Sequence, residues 1–349
     1  MTVLSDTSGK EVMKALAAAR SSRGGGTSGL ALTLVVIAED AAVEQATEAA
    51  CVAASAHPCR LIVVTRQATT SREHRLDAEI CVAGRLGPGE AVILRMRGRL
   101  ALHAESVTLP LLAADVPVVA WWQGVPPERI ARDPLGVFAD RRVTDCAAHA
   151  QSMTALTQRA SDYVPGDTDL AWTRITPWRS LLVDAFDTIE PRSASMIVRG
   201  TADKPSMALL AGWLRVRLGV AVQVLGDTDS EKPDNTGGGN REITGVEVTL
   251  DDGSTLQLRM TSDGSVAVDR DGMPERRLPL RYPTTGEALA EELRHLDPDQ
   301  LYAAALQAAT DVEIPSAGGS TTAHRIHEWH DPAMSLVPLD KQPLGTQPA

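Results

Sequence analysis

Leu30-Ala31-Leu32-Thr33-Leu34-Val35-Val36-Ile37-Ala38 is a nearly continuous apolar, β-rich run, and together with the residues just after it this run decides the fold. Such a run suits a strand buried on both faces of a sheet. Asp40 is placed to cap a helix reaching about Ala56, along which Val43, Ala46, Ala50, Cys51 and Ala54 share one face. Pro58 stops that helix and Leu61–Thr65 forms the next strand. Strand, helix and strand at this spacing predict a parallel pair joined by a crossover helix.

Outward from this unit, residues 1–29 read as a flexible lead holding a short helix, Lys10–Arg20, and a glycine-rich connector. Asp77–Ala83 alternates like a strand with one solvated face, and Ala91–Met96 and Val116–Trp122 add further strands. Helices are predicted over His103–Leu112, Pro134–Ala148, Ser152–Tyr163 and Pro177–Phe186, the last with Thr176 as N-cap and Pro177 at its first position. Residues 30–190 therefore predict an N-terminal layered α/β domain with a mixed sheet.

The pattern restarts near residue 191. Ser195–Arg199, a helix from Pro205 ended by Gly219, and Val220–Leu225 form a second β-α-β unit. Residues 226–241 read as a disordered loop. Four short strands come next, joined by Asp252-Gly253, Asp263-Gly264 and Asp271-Gly272, whose glycines supply the positive φ of tight hairpin turns. Thr284-x-x-Glu287 and Asp297-Pro298-Asp299-Gln300 open two closing helices. Residues 191–312 predict a smaller α/β domain containing an antiparallel meander, and residues 313–349 a disordered tail.

At 349 residues with 43% hydrophobic and only 3% aromatic content, the core must be built from Ala, Leu and Val. A net charge of -11 disfavours nucleic acid or an anionic membrane as partner, since both require a positive footprint. No signal peptide or membrane span is legible, so a cytoplasmic location is expected. Cys51, Cys59, Cys81 and Cys146 are then expected as thiols, with Cys59, after Pro58, the one placed to be reachable.

Motifs for catalysis are sparse. The glycine cluster at 24–29 precedes a strand, whereas a phosphate loop comes after one, and no dinucleotide fingerprint succeeds Leu30–Ala38. Asp167-Thr168-Asp169 offers an Asp-x-Asp pair that a sugar-nucleotide-dependent enzyme would use for a divalent metal, but a hard cation needs more oxygen ligands, and Arg174 is near enough in sequence to pair with either carboxylate. His324 to His330 lacks the helical His-Glu-x-x-His spacing of a zinc site. Neither a catalytic residue nor a cofactor is expected. A metabolite-sensing module is the further alternative, and convergent arginines in a preformed pocket would mark it.

Tryptophan is concentrated: Trp121, Trp122, Trp172 and Trp178 are four of the six in the chain. Adjacent Trp121 and Trp122 must point to opposite faces of their strand. Tryptophan and arginine anchor protein interfaces disproportionately, so Trp121, Trp122, Trp172, Arg174, Trp178 and Arg179 are the expected partner contacts, with core filling as the alternative for each.

Several strings carry a resemblance: His57-Pro58-Cys59-Arg60, Arg75-Leu76-Asp77-Ala78-Glu79-Ile80, Pro110-Leu111-Leu112 leading into Val116-Pro117-Val118-Val119-Ala120-Trp121-Trp122, and Arg141-Arg142-Val143-Thr144-Asp145. The longest is Gly166-Asp167-Thr168-Asp169-Leu170-Ala171-Trp172-Thr173-Arg174-Ile175-Thr176-Pro177-Trp178-Arg179. Ala202-Asp203-Lys204-Pro205-Ser206 and Leu209-Leu210-Ala211-Gly212-Trp213-Leu214 extend it. Together they resemble the glucose-6-phosphate dehydrogenase assembly protein family, the OpcA proteins, in its actinobacterial form, over about residues 30–310. The resemblance implies a non-catalytic partner that assembles or activates glucose-6-phosphate dehydrogenase, the first enzyme of the oxidative pentose phosphate pathway. The redox-linked control known in the cyanobacterial branch has no close cysteine pair to rest on here.

Overall fold

The computed structural model describes residues 1–22, 29–67, 74–84, 87–187, 193–227 and 242–312. The expected loop at 226–241, beyond Asp227, and the expected tail lie outside the described residues.

The first sheet contains β1 (Thr2–Leu4), β2 (Leu32–Ala38), β3 (Cys59–Gln67), β4 (Arg75–Gly84), β5 (Gly87–Arg97), β6 (Val118–Gln123), β7 (Arg141–Thr144) and β8 (Asp167–Asp169). Its helices are α1 (Gly9–Ser21), α2 (Val43–Ala56), α3 (Ala104–Thr108), α4 (Ser152–Ser161), α5 (Leu170–Arg174) and α6 (Thr176–Phe186). The spatial order is β1-β4-β5-β3-β2-β6-β7-β8. From β5 to β8 all neighbours are parallel, while β4 and β1 are added antiparallel. The chain winds from β2 outward to β3 and β5, then returns to start again beside β2 at β6. That reversal is the topological switch point of a doubly wound sheet.

Every residue of β2 is buried, as expected for a strand covered on both faces. Val35, Ile37, Ile62, Val64 and Trp122 face α1 and α3, whose Val12, Leu16, Ala104 and Val107 complete that layer. Leu34, Val36, Leu61, Val63 and Trp121 face α2. Residues 2–21, expected as a flexible lead, are ordered at both ends. Strand β1 pairs with β4, and α1 carries a Ser8–Glu11 capping box and buries Val12 and Leu16.

The second sheet runs β10-β9-β11-β12-β13-β14, with β9 (Ser193–Gly200), β10 (Val222–Gly226), β11 (Ile243–Leu250), β12 (Thr255–Met260), β13 (Ser265–Arg270) and β14 (Arg276–Pro279). Strand β10 is parallel to β9 across α7 (Pro205–Leu218), and β11 to β14 form the expected antiparallel meander. Gly253, Gly264 and Gly272 take the positive φ their turns require. Helix α7 packs on α9 (Gln300–Thr310) so closely that a Cβ on Gly212 would lie 2.3 Å from the carbonyl oxygen of Ala305.

Core membership crosses chain order. Helices α4 to α6 contribute Leu156, Trp172, Trp178 and Leu182 to the core of the second sheet. In return α8 (Thr285–Glu292) packs against α2 and gives Ala288 and Leu289 to the core of the first. The two helices touch at Gly286, where an added Cβ would lie 2.7 Å from Cβ of Val52 and 2.8 Å from the carbonyl oxygen of Ala49. The crossing is fixed by charge as well. Arg141 of β7 donates to the carboxylate of Glu292 in α8 and, at 2.8 Å, to the carbonyl oxygen of Asp297, while Thr173 of α5 donates its hydroxyl to the same carboxylate. Arg141, Glu292 and Thr173 are 3%, 7% and 4% exposed, so this ion pair is buried.

Three expectations are corrected. The helix expected over Pro134–Ala148 is instead a turn, strand β7 and a 3-10 turn at Cys146–Ala148. Arg141 and Arg142 can enter a strand because distant carboxylates, Glu292 and Asp167, receive them. Asp40 does not cap α2 but accepts from the hydroxyl of Thr65 at 3.3 Å. Thr176 does not cap α6, and its hydroxyl accepts from Arg179 at 2.7 Å.

Glu292→Gln should destabilise the protein by roughly 3–5 kcal/mol in denaturant titration, because it leaves Arg141 buried without its counter-charge. Arg141→Met combined with Glu292→Leu should recover most of that loss. Gly286→Ala should cost about 1–3 kcal/mol in the same titration, since backbone at Ala49 cannot yield to the new methyl.

Candidate functional site

The stretch from Asp167 to Arg179 folds as an edge strand followed by two short helices meeting at Ile175. Every carboxylate oxygen of the Asp-x-Asp pair is engaged. Asp167 accepts from Nε of Arg142 and from the backbone of Val164. Asp169 caps α5 through the amide of Ala171 at 2.9 Å and accepts from Thr144 at 2.7 Å and the amide of Cys146 at 2.8 Å. Burial raises the Asp167 carboxyl above its ordinary pKa, against the opposing pull of Arg142. Arg174, expected within reach of this pair, forks onto Asp145 instead, with both bonds at 2.6 Å. Among the described residues no group of three His, Cys, Asp or Glu side chains could hold a metal ion. These aspartates organise the backbone and are buried, at 5% and 0% exposure.

The tryptophans are interior. Trp121 and Trp122 do point to opposite faces, but each fills a core, at 0% and 2% exposure. Trp172, 2% exposed, donates at 2.8 Å to Asp299, the residue that caps α9, and packs at 5.9 Å against the ring of Tyr302. Trp178 is fully buried and donates at 2.8 Å to the hydroxyl of Tyr282. In this conformation the indoles stitch α5 and α6 to the C-terminal half of the chain.

Arg179 differs from its neighbours. Its guanidinium carbon sits 3.7 Å over the Trp172 ring, a cation–π geometry. Thr176 takes one N–H, while Nε has no hydrogen-bond partner. Among the described residues no carboxylate lies within ion-pair distance of it. Burial lowers its pKa, with Asp299 and Glu292 pulling the other way, yet an arginine keeps its proton in any such setting. The result is a half-buried cation with an unspent donor.

Arg179 lines a cleft of about 360 Å³ between α5–α6 and the end of α8, shared with Arg141, Trp172, Glu291 and Asp299. A second cleft of about 450 Å³, toward Pro177, Arg281 and Glu287, shares Thr173, Thr176 and Glu291 with the first. The two form one groove along α6 and α8. Three of the four acids of the first cleft are already occupied: Glu292 by Arg141 and Thr173, Asp299 by Trp172 and the α9 amides, Glu291 by Arg294, while the fourth, Asp297, holds its carboxylate out in solvent. Of the two arginines in it, Arg141 is paired with Glu292 and Arg179 is left without an ion-pair partner among the described residues. The sequence marked Arg179 only as one of six contacts; its lack of a counter-charge depends on three elements brought together from distant positions.

All four cysteines are free thiols. Cys59, expected in a reachable loop position, instead opens β3 at 1% exposure, and burial raises its thiol to about 12. No helix among the described residues is long and apolar enough to cross a membrane.

Comparisons with known proteins divide by method. Among solved structures the chain is similar to KijD10, a 3-ketoreductase from Actinomadura kijaniata, at 11% identity and a TM-score of 0.42, covering 80% of this chain and 96% of that one. An oxidoreductase from Sinorhizobium meliloti is similar at 9% identity and a TM-score of 0.40, covering 80% and 95%. An NAD binding oxidoreductase from Klebsiella pneumoniae is similar at 11% identity and a TM-score of 0.39, covering 81% and 95%. At such TM-scores these likenesses carry no weight for this chain's chemistry. No curated protein matches it. Two family models do: the N-terminal domain of the glucose-6-phosphate dehydrogenase subunit over residues 50–161, and the C-terminal domain of the same family over residues 165–306. With the two models spanning most of the chain, it belongs to the OpcA family of glucose-6-phosphate dehydrogenase assembly proteins.

Proposed function

We propose that this protein is a non-catalytic assembly factor and allosteric activator that binds glucose-6-phosphate dehydrogenase in the cytoplasm and so supports the oxidative pentose phosphate pathway. Such a protein acts only through unequal affinity for two states of its partner, favouring the active or assembled one. It therefore needs a specific docking surface. The observation that carries the assignment is Arg179: a cation braced on an indole, without an ion-pair partner, lining one end of a groove. A carboxylate from the dehydrogenase would complete it, and desolvated arginine–carboxylate pairs are characteristic interface anchors. Within the stretch 172–179, Trp172, Arg174 and Trp178 then serve as the rigid support that holds Arg179 in place. Trp121 and Trp122 stand further back, in the sheet to which that support is fastened.

Arg179→Ala should weaken activation of the dehydrogenase at least tenfold, about 1.4 kcal/mol or more of binding, as measured by titrating its activity with the variant. The melting temperature should stay within a few degrees of the parent, since the lost stacking is worth only about 0.5–1 kcal/mol. Arg179→Glu should abolish activation. Full activation by both variants would remove the groove from the docking surface and leave family membership untouched.

A further inference from the structure

The switch point of the first sheet carries a second cleft that the docking groove does not involve. Its floor and walls come from the carboxyl ends of three strands: Glu39 comes after β2, Gln123 closes β6, and Asp145 comes after β7. In doubly wound sheets this is where ligands bind, in the crevice opened by the reversal of strand order. Gly124, with φ of +124° and open space where a side chain would be, turns the chain away after β6 and keeps the mouth clear. The cleft holds about 460 Å³, within the usual size of small-molecule sites.

Three of its lining side chains have polar atoms with no hydrogen-bond partner. They are Nε1 of Trp121, Oε1 of Gln123 and Nε2 of His149. Trp121 and Gln123 are two residues apart on β6 and so share the α2 face of the sheet. His149 arrives from the 3-10 turn after β7. Buried polar groups are normally paired, and each orphan costs free energy that a ligand can return. That three such side chains line one cleft at a switch point is the observation from which a ligand is inferred.

The lining also selects the ligand. No Lys or Arg lines the cleft, and where a dinucleotide fold places glycines the chain reads Ala38-Glu39-Asp40-Ala41-Ala42, setting carboxylates where a pyrophosphate would lie. Asp145 is neutralised by its fork with Arg174, which leaves Glu39 as the uncompensated charge. An anion is therefore repelled. A cation brings only donors and cannot accept from the indole N–H of Trp121. The site needs a neutral group that both donates and accepts, and a hydroxyl does both at one atom. It serves Gln123 whichever end of the amide faces the cleft.

We propose that the switch-point cleft binds a small uncharged polyhydroxy compound, a free sugar by class, through Trp121, Gln123 and His149. Titration of the full chain with D-glucose and with D-ribose, followed by ligand-observed NMR and tryptophan fluorescence, tests this without any partner present. Saturable binding of at least one of them in the millimolar range or tighter is expected, with at least tenfold weaker binding of glucose 6-phosphate and NADP. Gln123→Leu and His149→Leu should each reduce the affinity at least tenfold while the fold, checked by circular dichroism, is kept. No saturable binding of either sugar would overturn the proposal. So would equal or tighter binding of the phosphorylated compounds, or sugar binding that both variants retain.

Discussion

Glu292 enters the molecule from its C-terminal half, yet its carboxylate is held among residues of the first sheet, by Arg141 of β7 and Thr173 of α5. A buried carboxylate without partners would be untenable, so α8 must lie where these donors are. Much else depends on that placement. Helix α8 covers α2, the loop after it brings Asp297 to Arg141 and Asp299 to Trp172, and Asp299 in turn caps α9. The groove beside Arg179 exists because α6 and α8 are fixed side by side.

The two clefts lie on the same support but differ in chemistry. In the groove Glu291, Glu292 and Asp299 are paired off and Arg179 keeps a donor without a partner, which suits a carboxylate. At the switch point the arginine is spent on Asp145 and neutral orphans remain, which suits a hydroxyl. Arg174 links them: it belongs to α5, between Trp172 and α6, and its fork onto Asp145 reaches the rim of the second cleft.

Legibility in the sequence tracked the range of the interactions concerned. The unit from β2 to β3 was readable because apolar periodicity and Pro58 are local signals. The Asp-Gly turns and the Thr284–Glu287 box were readable for the same reason. Strand β7 reads as helix in the sequence because two arginines in a buried strand make sense only once Glu292 and Asp167 are beside them. Strand β8 has three residues, too few for any periodic signal. The tryptophan cluster was visible as composition, but whether an indole faces solvent or core depends on what packs over it. Here Tyr302, Tyr282 and Asp299 come from more than a hundred residues away. The switch-point cleft was half legible. The missing glycine fingerprint after β2 is apparent, while the meeting of Trp121 and Gln123 with His149 needs β7 to be placed beside β6.

Hydrogen exchange of the chain with and without glucose-6-phosphate dehydrogenase measures the central claim, that the partner is engaged through the groove of α6 and α8. The account predicts slower exchange over residues 173–180 and 281–291 in the complex, with β2, already buried on both faces, unchanged. Protection confined to other surfaces, or no change under conditions where the dehydrogenase is activated, would contradict it.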